Sequence, residues 1–159
     1  MKKIKVRKAE LSDAPNILKL CVKFHQSSVY KNYDLSQNKL LGVIQYSISG
    51  EAFCWVIEEG NNIIGFKMGC VDEHWFGKDR IANDLAIYLL PNKRKYAFSA
   101  LTRLITQFEK WAVDQGAAEV CVATSSGTDT KAYQSFLNRK GYTTIGYLTK
   151  KELTNVRRY

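Results

Sequence analysis

Three consecutive cations, Lys93, Arg94 and Lys95, follow Pro91-Asn92 and open the most regular helical pattern in the chain. That is the positive end of the helix dipole, where each exposed cation costs about 0.3–1 kcal/mol. Asn92 is the only capping residue type there before Ser99. Backbone N–H groups and side-chain cations therefore converge, and a phosphate or pyrophosphate satisfies both. The alternative is a solvated basic loop without a ligand. A position directly after a buried strand favours the anion site. Asp84 is a charge inside an apolar run, which needs a reason. Two readings stand: a base, acting through a water on an incoming amine, or a strand-end carboxylate paired with Arg80 or a backbone group. His74 with Trp75 and Phe76 lines an acceptor pocket or belongs to a surface loop or oligomer contact. Ser125 and Ser126 either hydrogen-bond a cofactor or shape a turn. His25 reads as a packed or helix-surface histidine. Cys21, Cys54, Cys70 and Cys121 form no C-x-x-C pair and lie in apolar runs, so they read as reduced, buried thiols, and no metal site is expected. No Ser/His/Asp hydrolase pattern, P-loop or dinucleotide glycine motif is present.

These residues must be positioned by the surrounding elements. Lys3–Ala9 alternates as a short strand, and Ser12-Asp13-Ala14-Pro15 opens a helix with Ser12 as its candidate cap and Ile17, Leu20, Cys21 and Phe24 on one face. A second helix starts at Ser36 and ends at Ser49-Gly50. Ala52–Glu58 and Ile63–Val71 are apolar runs joined by Glu59-Gly60-Asn61-Asn62, a hairpin signal. The first run is apolar on both faces, as in a central strand covered by helices. Ile81–Leu90 is a third run, ended by Pro91. Leu101, Leu104, Ile105, Phe108 and Ala112 then make the clearest helical stripe, closed by Gly116. Glu119–Thr124 is the next strand, and strand, helix, strand reads as a βαβ unit with parallel strands. Thr130 caps a short helix with Tyr133, Phe136 and Leu137, ended by Gly141, and Tyr142–Leu148 is a last strand or strand pair.

At 159 residues the chain is long enough for one domain with a sizeable core. The expected boundaries are 1–153 for that domain and 154–159 for a basic tail. A 45% hydrophobic share argues against disorder, and no run approaches a membrane span. Met1–Lys8 is basic but lacks the apolar core of a secretory signal. The expected location is cytoplasmic, with no membrane partner. Of the net charge of +9, residues 1–90 hold +2 and residues 91–159 hold +7. An anionic partner is therefore met by the C-terminal part.

The order strand, two helices, hairpin, long strand, Pro-basic loop, helix, strand, short helix, Gly-aromatic resembles the GNAT superfamily of acyl-CoA-dependent N-acetyltransferases over essentially the whole chain. Asp84–Pro91 is similar to the family's fourth strand. Arg94-Lys95-Tyr96-Ala97-Phe98-Ser99 is similar to its R/Q-x-x-G-x-G/A phosphate loop, with Ala97 and Ser99 in place of the glycines. Phe108-Glu109-Lys110-Trp111-Ala112 resembles the third helix of small, phage-type members, and Gly141-Tyr142 matches a G-[FY] pair. The resemblance implies an α/β (α+β by some schemes) GNAT-like fold, a mixed central sheet of about six or seven strands flanked by about four helices. It implies acetyl-CoA as co-substrate, held by Leu89, Leu90, Arg94–Ser99, Ser125 and Ser126. The implied reaction is acetyl transfer to an amine of a small molecule or protein, by direct attack in a ternary complex. The family's acidic tyrosine position is Leu137 here. Tyr133, one turn earlier on the same face, is the nominated substitute acid. Asp84 is the nominated base, and His74 and Trp75 the nominated acceptor contacts. A homodimer is left open. Two other functions compete: a catalytically weak or inactive module that binds CoA or a protein, and, last, a nucleic-acid binder using the basic half, for which no recognition motif is evident.

Overall fold

The computed structural model describes residues 3–123, 125–127 and 130–153. They fall into two compact units, Met1–Ala123 and Thr124–Tyr159.

The first unit is built on a five-stranded sheet in the order β1-β2-β3-β4-β5, formed by β1 (Ile4–Lys8), β2 (Phe53–Glu59), β3 (Asn62–Glu73), β4 (Arg80–Leu89) and β5 (Ala117–Cys121). The first four strands are antiparallel, and β5 is parallel to β4, as the βαβ pattern requires. The hairpin between β2 and β3 turns on Gly60-Asn61, with Gly60 at φ 62°, a backbone state glycine adopts without strain. Five strands are fewer than the six or seven expected, because residues 142–153 form no strand ladder.

Helices α1 (Ala14–Ser27) and α2 (Gln37–Ile48) contribute Ile17, Leu20, Ile44 and Ile48 to a core with Val56, Phe66, Met68 and Tyr88 of the sheet. Helix α3 (Arg94–Asp114) contributes Ala97, Ala100, Leu104, Phe108 and Ala112 to a second core with Phe53, Ile57, Ala82 and Leu89. The sheet therefore carries apolar side chains on both faces, which explains the unbroken hydrophobic runs of β2 and β3. Ser36 caps α2 by accepting the Lys39 N–H at 3.3 Å. Ser12 does not cap α1. The Asp13 carboxylate takes that region over, accepting the Glu10 N–H at 2.8 Å and two bonds from Arg7. Gly116 (φ 72°) closes α3 and donates to the Val113 carbonyl at 2.9 Å.

In the second unit, α4 (Thr130–Arg139) ends in a Schellman turn. Tyr142 N–H donates to Leu137 O at 3.1 Å and Gly141 N–H to Asn138 O at 3.0 Å, with Gly141 at φ 93°. The Gly-Tyr pair is thus a helix stop with a geometric requirement. The segment after it exposes Ile145, Tyr147 and Leu148. The expected tail, 154–159, lies outside the described residues. No helix of the described residues is long and apolar enough to cross a membrane.

Candidate active site

The ladder between the parallel strands β4 and β5 is short. It joins Arg80 to Ala117 and ends where Asn83 faces Cys121. Strand β4 continues to Leu89 with β3 along one edge, and no strand of the described residues lies along the other. Beyond Asn83 that second edge of β4 is a polar backbone edge, whose N–H and C=O groups need hydrogen-bond partners.

A β-bulge sits at the base of that edge. Met68 faces Ala86 and Gly69 faces Asp84, so Leu85 lies between with no partner on β3. Leu85 is half exposed. An extra residue reverses the side-chain alternation of a strand. Before the bulge Ala82 faces α3, and after it Leu89 does, while Tyr88 faces α1 and α2. The bulge thereby turns Asp84 to the α3 side. There its Oδ1 accepts a hydrogen bond and ion pair from Lys67 Nζ. Lys67 is fully buried, and its ammonium lies 4.2 Å from the centroid of the Phe108 ring. Sequence reasoning offered Arg80 as the partner of Asp84, but Arg80 donates to the Gln115 carbonyl instead. The Asp84 carboxylate is thus paired with an ammonium under α3.

The open edge of β4 leads to the start of α3. A 3-10 turn, Pro91–Lys93, links β4 to the helix, and no side chain caps α3. The turn uses the Lys93 and Arg94 N–H groups on the carbonyls of Leu90 and Pro91. These two N–H groups at the helix start are therefore already occupied. The three cations also divide. Lys93 Nζ pairs with Glu59 Oε2 at 2.7 Å, and Tyr96 Oη donates to Glu59 Oε1 at 2.8 Å. The Glu59 hydrogen bond, followed by the one to Tyr96, raises the Lys93 pKa. Arg94 Nε donates to the Leu89 carbonyl at 3.4 Å, which sets its guanidinium at the end of β4. Lys95 is exposed. Arg94 and Lys95 thus stand beside the end of β4.

Ala97 is fully buried against the sheet, and Ala97 and Ser99 both lie inside the regular helix. Neither position calls for a left-handed backbone, so replacing the glycines costs no strain here. Phe98 and Tyr96 are partly exposed, Leu89 is buried and Leu90 half-buried. His74 and Trp75 are not brought to this end of β4. They form the β3–β4 hairpin tip, closed by His74 N–H to Asp79 O at 2.7 Å, with the Trp75 and Phe76 rings tilted against each other at a centroid distance of 3.7 Å. That tip precedes Arg80, and nine residues of strand, ~30 Å, separate Arg80 from Leu89. Ser125 and Ser126 lie in a turn that begins the second unit. Tyr133, on α4, has a buried hydroxyl and stacks on Phe136 with centroids 6.1 Å apart. Leu137 is buried. No group of metal-ligating side chains is present among the described residues.

Lys67, Glu59 and Leu85 were missed from sequence. The available signal was a pair of lone opposite charges, Lys67 and Asp84, in two neighbouring apolar runs.

No family model and no curated protein sequence matches the chain. Solved structures do. A Trypanosoma brucei acetyltransferase matches with a TM-score of 0.69 at 15% identity, over 95% of this chain and 100% of that one. The aminoglycoside N-acetyltransferase AAC(6')-Iy in complex with CoA matches with a TM-score of 0.75 at 12% identity, over 97% of each chain. Glucosamine-6-phosphate N-acetyltransferase from Arabidopsis thaliana matches with a TM-score of 0.69 at 14% identity, over 95% and 99%. The similarity establishes the fold, that of the GNAT acetyltransferases.

Proposed function

We propose that this chain, which has the GNAT acetyltransferase fold, transfers an acetyl group from acetyl-CoA to an amine of a small molecule or protein. The observation that carries the reading is the edge of β4 beyond Asn83, which no strand of the described residues pairs, with Arg94 held at its end. An extended pantetheine arm can satisfy the open backbone edge of β4, as an added strand would. Arg94 and Lys95 then meet the pyrophosphate through charge-assisted hydrogen bonds. The neighbouring AAC(6')-Iy structure holding CoA supports the choice of co-substrate. The reading takes 1–153 as one acyltransferase domain, supported by matches that run over 95–97% of the chain.

In the reaction the amine nitrogen attacks the thioester carbonyl carbon, the carbon–sulfur bond breaks to expel the thiolate, and the amine proton passes to water. Backbone N–H groups on the β4 edge beside Leu85 are suited to the developing oxyanion. Tyr133 is the nominated proton donor to the leaving thiolate. Without it the thiolate departs unaided.

The test is calorimetry with acetyl-CoA and CoA, followed by turnover with a panel of amines. Binding of acetyl-CoA at 100 times Kd stabilises the fold by about 2.7 kcal/mol, read as a rise in Tm. Absence of binding of both ligands at millimolar concentration overturns the proposal. A second reading, a CoA-binding module without turnover, is favoured by Leu137, a buried residue with no proton to give. Binding without acetylation of any amine selects it.

A further inference from the structure

We propose that Lys67 is a positioning residue, whose buried ion pair with Asp84 pins the bulge at Leu85 and so holds the open edge of β4 in the geometry acyl transfer requires. The last clause rests on the proposed function, whereas the pinning does not.

The argument starts from strand parity. Lys67 stands opposite Ile87, and Gly69 stands opposite Asp84. Residues 84 and 87 are an odd number apart, so a regular strand would send them to opposite faces. Only the extra residue, Leu85, lets Asp84 join Lys67 on the α3 side. Without the bulge, Asp84 turns away and leaves a buried ammonium with no carboxylate, a strongly unfavourable state. The ion pair therefore selects the bulged register over the regular one.

The surroundings leave the pair little freedom. Lys67 is fully buried and the Asp84 side chain is 6% exposed. Phe108 of α3 covers the ammonium and also fills the space over Gly69, where a Cβ would lie 2.4 Å from its Cε2. A buried cation under an aromatic face is held by charge and by ring quadrupole together. The same helix begins at Arg94 and Lys95, so one packed group links the bulge to the helix that would meet the cofactor's phosphates.

The deciding variant replaces both charges, Lys67→Met with Asp84→Leu, because apolar replacement of a buried pair is often neutral for stability. The expected result is a retained Tm with amide exchange at Leu85 and Ala86 accelerated by about tenfold or more. With an amine the parent acetylates, kcat falls by up to about 10²-fold, as for a misplacement near 1 Å, while KM for acetyl-CoA changes little. A merely stabilising pair predicts unchanged exchange and unchanged kcat at equal Tm, and that result overturns the proposal. If the double variant fails to fold, Asp84→Asn decides: it keeps an oxygen for Lys67 but loses the charge. Faster exchange at Leu85 supports the pin, and parental exchange overturns it. A parent that binds no acetyl-CoA ends the acyl-transfer reading and the positioning clause, while the exchange data still decide whether the pair pins the bulge.

Discussion

Lys67 and Asp84 illustrate how much of this site depends on single charges. Removing Lys67 alone leaves a carboxylate buried without its counter-ion, so Lys67→Met is expected to cost about 3–5 kcal/mol, measured by denaturant unfolding. The double replacement recovers most of that loss. Asp13 gives a second prediction, in pH. Hydrogen bonding to Arg7 lowers its pKa against the opposing effect of burial, and the Glu10 N–H adds to the lowering. A depressed carboxylate contributes stability that is present above the ordinary value of 3.8 and is lost as pH falls through the native value. Asp13→Asn is therefore expected to lose about 1–3 kcal/mol at neutral pH. The gap to the parent should close in unfolding curves taken below that value. Tyr133→Phe tests the proposed acid. A fall in kcat of about 10²–10⁴-fold with unchanged acetyl-CoA affinity supports it, and an unchanged kcat assigns Tyr133 to packing with Phe136.

At the scale of elements, the start of α3 is organised by a residue from elsewhere in the chain. Glu59 takes both Lys93 and Tyr96, while the Arg94 guanidinium is held at the end of β4 by the Leu89 carbonyl. Arg94→Glu removes one cation and places a carboxylate at the end of β4. Acetyl-CoA affinity is expected to fall at least about tenfold, with charge-assisted bonds worth roughly twice neutral ones, while Tm without ligand stays near the parent's. Equal affinity in calorimetry would remove Arg94 from the site. The contact between α3 and β3 is equally specific. Gly69 lies where any Cβ meets Phe108 and the Asn83 carbonyl, both closer than 3.0 Å. Gly69→Ala is expected to destabilise by about 1–3 kcal/mol, the usual cost of overpacking. Combining it with Phe108→Leu, which withdraws the ring, should return part of the loss.

For the whole molecule, the charge of +9 makes association with a polyanionic cofactor sensitive to salt. Of the four thiols expected to be buried, Cys21 and Cys54 are, whereas Cys70 and Cys121 are only half-buried. Burial pushes Cys21 and Cys54 up to about 12, and burial followed by Asp72 pushes Cys70 up to about 11. Alkylation of Cys21 and Cys54 near pH 8 is expected to wait for unfolding, so its rate reports opening of the first unit and not intrinsic thiol chemistry. Rapid labelling of either in the native protein would contradict their burial.

What the amino-acid order determined by itself is local. The stripe of α3, the Ser36 cap, the Gly60-Asn61 turn and the glycine stops at 116 and 141 each depend on residues a few positions apart, where spacing and backbone preference decide. The cationic run after Pro91 and the lone Asp84 were visible for the same reason. Partner choice was not visible, because it joins residues 17, 34 and 37 positions apart: Lys67 to Asp84, Lys93 to Glu59, and Tyr96 to Glu59. Register sets those contacts, and one extra residue at Leu85 brings Asp84 to the side of a buried lysine. The expected strand at 142–148 has the alternation of a strand without a ladder, and a strand exists only as one side of a hydrogen-bonded pair. Only the tertiary structure supplies or withholds that second side.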